Sequence, residues 1–226
     1  MSFLEELKRQ AASSVAAAPD VVDAEVRARN ARLAQGALRL THDYWKEMVE
    51  QLNLIRPPSM GRYRLDGRQP VEDLRCINFR VVPVTRASHA GEVVYESVVL
   101  AWQAGSGRKT TIDKELPAEA DRVRAALRQA GIQAHEAPRR DATSDRLLGT
   151  RFEFVADVAA SIRIMPLPDS GRVRLVCSNL DQLERIEAEF PAVGMRARQL
   201  DEIGRWIVGQ PHRVLEYASE VRRFQP

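Results

Sequence analysis

The chain of 226 residues is poor in the side chains that build metal sites and disulfide frameworks. Its two cysteines, Cys76 and Cys177, are too few for a zinc site or a set of disulfides. Each lies in an apolar, strand-like stretch, so we expect both to be reduced core residues. No two histidines are three or four residues apart, the spacing at which a helix presents two of them to one metal ion. We therefore predict no metal and no cofactor. The histidines are His42, His89, His135 and His212.

Long apolar runs and blocks of one charge are also missing. No apolar stretch approaches the roughly 20 residues that span a bilayer, so we expect no membrane span. Glu5 and Glu6 occupy positions where a signal peptide carries positive charge, which favours a cytoplasmic location. The net charge is +3, and the basic residues are spread along the chain without forming a cluster. Because phosphate backbones are bound by clustered cations, a nucleic-acid partner is not expected.

Motifs of catalysis are not evident. Residues 105–110, Gly-Ser-Gly-Arg-Lys-Thr, are similar to a phosphate-binding loop, but the lysine is preceded by arginine and no helix is predicted to follow. We predict a hairpin turn there. The carboxylates Glu136, Asp141 and Asp145 alternate with arginines, a pattern typical of a solvated loop. The sequence therefore favours a non-enzymatic protein over an enzyme with dispersed catalytic residues.

The strongest positive signal is a long helical pattern from Val21 to Ile55, which contains no proline and one glycine, Gly36. Apolar residues recur along it at helical spacing, opposite a charged face. Arg56-Pro57-Pro58 ends the pattern, because proline lacks an amide donor and disfavours helix in the residue before it. About 35 residues make a rod of roughly 50 Å.

A shorter helix is predicted upstream. Ser2 and Glu5 have the spacing of a capping box, and apolar residues follow at intervals of four from Phe3 to Val15. This helix is predicted to end before Pro19, so residues 1–58 would form a helical hairpin.

The apolar stripe on the long helix is too long for one short neighbour to cover. A body of about 170 residues has a radius of gyration of only about 15 Å, so part of the stripe needs another subunit. We predict a homo-oligomer, with residues 1–58 as the oligomerisation segment. The candidate interface residues are Val26, Leu33, Leu40, Tyr44, Met48 and Leu52.

Beyond Pro58 the apolar period changes towards two, which predicts strands. Runs at 76–84, 93–102 and 108–116 are followed by a helix from Pro117 to Ala130. Runs at 151–166, 172–178 and 183–190 are followed by a helix at about 199–208. We infer an α+β domain over residues 59–226 with an antiparallel sheet, and possibly two β-β-β-α units at 75–130 and 151–208. A last helix is predicted from Pro211.

One segment suggests a ligand site. Trp206 and His212 flank a tight turn after the predicted helix. They are the candidate lining of a pocket for an apolar small molecule between sheet and helix.

Two segments carry a resemblance. Residues 2–7 (Ser-Phe-Leu-Glu-Glu-Leu) and 205–213 (Arg-Trp-Ile-Val-Gly-Gln-Pro-His-Arg) resemble a group of proteobacterial proteins of similar length. The resemblance implies a bacterial protein, but no activity and no site residues.

Three functions remain open from the sequence. The first is a non-enzymatic cytosolic protein that self-associates through its long helix and presents its sheet to a protein partner. The second is a binding module for an apolar small molecule. The third is an enzyme whose residues are too dispersed to recognise.

Overall fold

The computed structural model describes residues 3–68, 70–88 and 91–224, with the backbone alone described for residues 3, 7 and 9–22. The described residues form three α-helices: α1 (Phe3–Ile55), α2 (Pro117–Gln129) and α3 (Ala197–Ile207). They also form the seven strands β1 (Arg75–Ala87), β2 (Val93–Lys114), β3 (His135–Arg140), β4 (Leu147–Leu167), β5 (Arg172–Ser178), β6 (Arg185–Pro191) and β7 (Glu220–Phe224). Short 3-10 turns cover Pro168–Ser170, Ala192–Gly194 and Val214–Tyr217. The predicted α+β class is confirmed.

The strands form one antiparallel sheet in the order β1-β2-β4-β5-β6-β7, and β3 pairs with the first part of β4. Along β4, the even-numbered residues from Phe152 to Ile164 are buried, and the odd-numbered residues are half-buried or exposed. Because side chains alternate across a strand, one face of the sheet carries the helices and the other faces solvent. The fold therefore has two layers.

Strands β2 and β4 are the longest described strands, with 22 and 21 residues. Their pairing shifts between Gly105 and Lys109 of β2, where Gly107 has a φ of 64°. A Cβ on Gly105 would lie 2.3 Å from a carboxylate oxygen of Asp157, so the missing side chain at 105 leaves room for the Asp157 carboxylate. This segment is an irregularity inside one strand. The predicted hairpin turn at 104–107 is wrong, and the strands predicted at 93–102 and 108–116 are one.

Two clusters of buried side chains lie on the helical face of the sheet. The first joins α1 and α3 to β1, β2, β4, β5 and β6, and its largest fully buried members include Leu38, Trp45, Leu100, Ile162, Ile164 and Ile203. The second joins α2 to the remaining parts of β2 and β4, and includes Tyr63, Leu74, Val123, Leu127, Phe152 and Phe154. The first cluster includes α1 residues 34–52, so the core crosses the predicted boundary at residue 58.

Two side-chain amides hold α1 to the sheet. Gln35 donates to the carbonyl of Tyr95 (2.9 Å) and accepts from its amide (2.8 Å). Asn53 makes the same pair of bonds with Phe79 (both 2.9 Å), beside the register shift in β1. These bonds satisfy backbone groups that strand pairing leaves free, and they fix the helix in position.

The N-terminal part of α1 differs from the prediction. The backbone is one helix of 53 residues from Phe3 to Ile55, so the helical hairpin broken before Pro19 is wrong. The stretch before Pro19 is rich in alanine, the best helix former, and a proline inside a helix removes a bond without requiring the helix to end. The predicted cap at Ser2 lies outside the described residues. No helix in the described part of the chain is long and apolar enough to cross a membrane.

The two predicted repeat units also differ. Residues 75–130 contain two strands and a helix, one strand fewer than predicted. Residues 151–208 contain most of β4, then β5, β6 and a helix, which is the predicted order. The helix predicted from Pro211 is wrong, because Val214–Tyr217 forms a 3-10 turn and the chain then pairs as β7 with β6. Apolar spacing in this short segment fits either structure, and the free edge of β6 decides between them.

Candidate functional site

The structure separates the six candidate residues of α1 into two groups. Val26, Leu33 and Leu40 are 49%, 38% and 42% exposed and lie seven residues apart on the outward side of the helix. The other three face the molecule itself. Leu52 is buried in the first core, Tyr44 donates a hydrogen bond to the Asp201 carboxylate of α3, and Met48 lies beside Gly204.

N-terminal to Asn30, the described side chains of α1 do not pack on the sheet. Every side chain from residue 23 to residue 29 is exposed. The amide of Asn30 donates to the carbonyl of Asp169 (2.9 Å) and marks where the helix meets the body. Residues 23–29 of α1 are therefore exposed in the single chain.

The outward apolar residues of α1 border a groove, which we call the α1 groove. Its volume is about 410 Å³. Leu33, Gly36, Leu40 and Val193 line it, with buried Ala37, Ala192 and Met195 at its base and Arg29, Arg32 and Arg196 around it. The groove is thus apolar within and basic at its border.

Gly36 is the only glycine in α1 and lies in the α1 groove. A glycine inside a helix costs about 0.5–1 kcal/mol relative to alanine. A Cβ built at Gly36 would have no heavy atom within 4 Å outside the neighbouring helical turns. The fold of the single chain therefore does not require a glycine here.

The structure brings Trp206 and His212 together, as predicted, but not around a ligand-sized space. Their rings stack with centroids 4.9 Å apart. The indole Nε1 of Trp206 donates to both carboxylate oxygens of Asp181 (3.0 Å), and Nδ1 of His212 is buried without a hydrogen-bond partner among the described residues. The cavity beside Trp206 measures about 10 Å³, which holds about one water molecule.

The polar groups around that small cavity serve the fold. The hydroxyl of Tyr63 lies 2.8 and 3.0 Å from the carbonyls of Asn179 and Leu180. Burial raises the pKa of Tyr63 and of the Cys76 thiol, so both stay neutral. Cys76 and Cys177 are buried and free, as the sequence predicted.

Sequence reasoning missed a second cavity, which lies beside the last residue of β2. We call it the Lys114 cavity. It measures about 410 Å³ and lies between residues 64–68 and one side of α2. Its lining residues are Arg64, Leu65, Asp66, Gly67, Arg68, Lys114, Glu119, Arg122, Ala125 and Ala126. Lys114 is only 6% exposed, and its ammonium group makes no hydrogen bond or ion pair with any described residue.

Strand alternation explains why Lys114 is buried. It lies opposite Thr150, and two residues earlier Ile112 lies opposite Phe152 on the same, helix-covered face. Asp113 points to the other face, where it accepts hydrogen bonds from Arg139 (3.1 Å) and Arg151 (2.9 Å). A lysine at a core-facing strand position was therefore a signal that the sequence contained.

The remaining charged candidates cross-link elements. Arg124 of α2 pairs with Glu136 of β3 (2.8 Å), and Asp141 accepts the amides of Thr143 and Ser144. His42 lies beside Tyr95, and His135 is an exposed residue of β3, whereas His89 lies outside the described residues. Within the described ranges, no three His, Cys, Asp or Glu side chains converge on a possible metal position.

The chain matches no protein-family model, no curated protein and no solved structure. The similarity of its two ends to proteobacterial proteins stays a prediction. Functional proposals therefore depend on the geometry of the chain's own residues.

Proposed function

We propose that this protein is a non-enzymatic, self-associating protein in which the α1 helices of two copies pack together. The observation that carries the proposal is the outward line of Val26, Leu33 and Leu40 on a helix whose other side is already buried in its own core. Spacing by seven residues is the pattern with which helices pack on one another. A twofold axis would place the same line of each copy against the other.

The α1 groove supports a second copy as the occupant. An antiparallel pair would lay the exposed residues 23–29 of one α1 along the groove of its partner. Gly36 supports this arrangement, because a missing Cβ lets another helix approach closely and the single chain has no other use for it. The carboxylates of Asp23 and Glu25 in the exposed segment would then meet the arginines at the border of the groove.

The alternative of an apolar ligand between sheet and α3 has less support. The space beside Trp206 is about 10 Å³, far below the roughly 300 Å³ at which small-molecule pockets begin. The solvent-facing side of the sheet remains available to a further protein partner.

The proposal is tested by light scattering coupled to size-exclusion chromatography across micromolar concentrations. We expect the wild-type mass to be that of two chains. The double substitution Leu33→Asp and Leu40→Asp should give the mass of one chain with an unchanged circular dichroism spectrum, because both side chains are exposed in the single copy.

A matched control is Leu116→Asp. Leu116 is 62% exposed, far from α1 in sequence, and occupies the N-cap of α2, where aspartate is favourable. It should keep the wild-type mass. A wild-type mass of one chain, or a double variant that keeps the wild-type mass, contradicts pairing through α1.

A further inference from the structure

We propose that the Lys114 cavity is a binding site for a small phosphorylated molecule. This inference goes beyond self-association and depends on different residues. It starts from the position of Lys114, which is more than nine-tenths buried, lines the cavity and has no partner among the described residues.

The Lys114 side chain is largely buried, but its ammonium nitrogen is accessible from the cavity, where no described residue pairs with it. The neighbouring Asp113 shows how this chain otherwise treats a charge in the same strand. Asp113 is bound by two arginines, which lower its pKa to about 2. Asp66 and Glu119 also line the Lys114 cavity, but neither pairs with Lys114. An anionic ligand in the cavity would give this ammonium group its first charged partner.

The charges around the cavity favour an anion. Four cations, Arg64, Arg68, Lys114 and Arg122, face two carboxylates, Asp66 and Glu119. The three arginine side chains form no ion pair with any described residue, so their guanidinium groups remain available. Guanidinium groups bind phosphate with two parallel hydrogen bonds, and an ammonium adds a point charge. A phosphate dianion would balance the excess of two positive charges.

The chain fixes the two sides of the cavity. Leu65 is buried in the second core and anchors residues 64–68. The amide of Arg68 donates to the Asp66 carboxylate (2.8 Å), and the amide of Val71 donates to the carbonyl of Tyr63 (3.0 Å). On the opposite side, Arg122 projects from α2, which the second core holds through Val123 and Leu127. The backbone segments that carry the cationic side chains are thus held in place by packed residues before any ligand arrives.

The size of the cavity and its apolar part indicate a small organic molecule. About 410 Å³ is within the usual range of small-molecule pockets and exceeds the volume of a phosphate ion. Leu65, Ala125 and Ala126 add an apolar wall against which the rest of the ligand would pack. The expected ligand therefore carries one phosphate group on a compact organic part.

Calorimetry and thermal unfolding with inorganic phosphate, pyrophosphate and adenosine monophosphate test this site, with sodium chloride at matched ionic strength as the reference. We expect the full chain to show a phosphate-dependent rise in Tm, with adenosine monophosphate binding more tightly than inorganic phosphate. Lys114→Met keeps an unbranched side chain of similar length at this position, so its Tm without ligand should be close to or above that of the wild type, and it should abolish the response to all three probes. Lys109→Met, an exposed lysine on the same strand, should leave both properties unchanged.

Arg122→Gln gives an independent test at an exposed position. It should leave the Tm without ligand unchanged and weaken binding by about tenfold or more, the usual consequence of losing a charged hydrogen bond.

Two results would overturn the assignment. One is an equal response of the wild type and Lys114→Met to every probe, or no response of the wild type. The other is a single-stranded oligonucleotide that binds more tightly than adenosine monophosphate and covers several nucleotides, which would assign the surface to nucleic acid instead. If Lys114→Met shows the first of these results together with a lowered Tm, Lys114 has a structural role instead of a binding role.

Discussion

The helix-covered face of the sheet has two regions that differ in the side chains buried there. Under α1 and α3, the buried positions are occupied by large apolar side chains such as Trp45, Ile162 and Leu200. Under α2, the same strands carry Phe152 and Phe154, but β2 ends on a buried lysine beside an open cavity of about 410 Å³. The first region is closed, and the second contains a charge and space.

This difference separates two tasks within one sheet. Apolar burial stabilises a fold by about 25 cal/mol for each Å² removed from water, and the first region gains this without interruption. In the second region, a lysine without a partner among the described residues occupies a core-facing strand position where an apolar side chain would bury more surface, which suggests a role other than folding. The two regions should therefore respond differently to substitution.

The largest expected difference concerns one buried leucine on a helix in each region. Leu38 of α1 is fully buried, and Leu127 of α2 is nearly so. Leu38→Ala should cost about 2–5 kcal/mol, and Leu127→Ala should lie at the lower end of that range, because residues around the Lys114 cavity can relax into open space. Urea denaturation at fixed protein concentration measures both values. Equal costs would show that the second region is packed as tightly as the first.

A smaller effect should appear at low pH, at Asp113 on the opposite face of β2 beside the second region. Arg151 and then Arg139 lower the pKa of Asp113 from 3.8 to about 2. Because the folded pKa is below the unfolded one, the contribution of Asp113 is complete above about pH 4 and is lost as pH falls towards 2. Asp113→Asn should therefore be less stable than wild type near neutral pH.

The difference between the two proteins should disappear as pH falls through that window. Urea midpoints of both, measured from about pH 6 to about pH 2, check the prediction, and Glu50→Gln at an exposed position of α1 is a control. A constant difference across the range would mean that Asp113 acts without its charge.

The smallest effect concerns Gly36 in the first region. Gly36→Ala should stabilise the single chain by about 0.5–1 kcal/mol, because alanine favours helix and its Cβ meets no other part of the fold. The same change should weaken self-association, since it fills part of the α1 groove. Denaturation of the Leu33→Asp, Leu40→Asp background isolates the first effect, and light scattering of the single variant measures the second. If association is unchanged, Gly36 does not contact a second copy.

Much of the fold could be predicted because its periodicity is strong. The apolar spacing with Arg56-Pro57-Pro58 places the C-terminal end of α1, and the proline and glycine that flank α2 place both ends of that helix, within a few residues of the observed bounds. Alternation along β5 and the core positions of Cys76 and Cys177 also follow from local pattern. In each case the neighbouring residues alone decide the structure.

The remaining features depend on residues far apart in the chain. Two glycines near Ser106 suggest a turn, but this segment stays within one strand because β2 pairs with β4 on both sides of it. The Lys114 cavity joins residues 64–68, the end of β2 and a side of α2. Lysine at a core-facing position was visible in the sequence, but the arginines that accompany it were not.

The continuity of β2 and β4 also determines how the molecule folds. Both β2 and β4 pass through both regions. If the pairing between these two strands is lost in one region, their backbone groups become exposed next to the other region. The pair also joins residues about 60 positions apart, such as Trp102 and Ala160, and loops of that length must close before the contacts form. Two chemically different regions are thus bound into one cooperative unit, and a ligand held beside α2 would slow the unfolding of the region beneath α1.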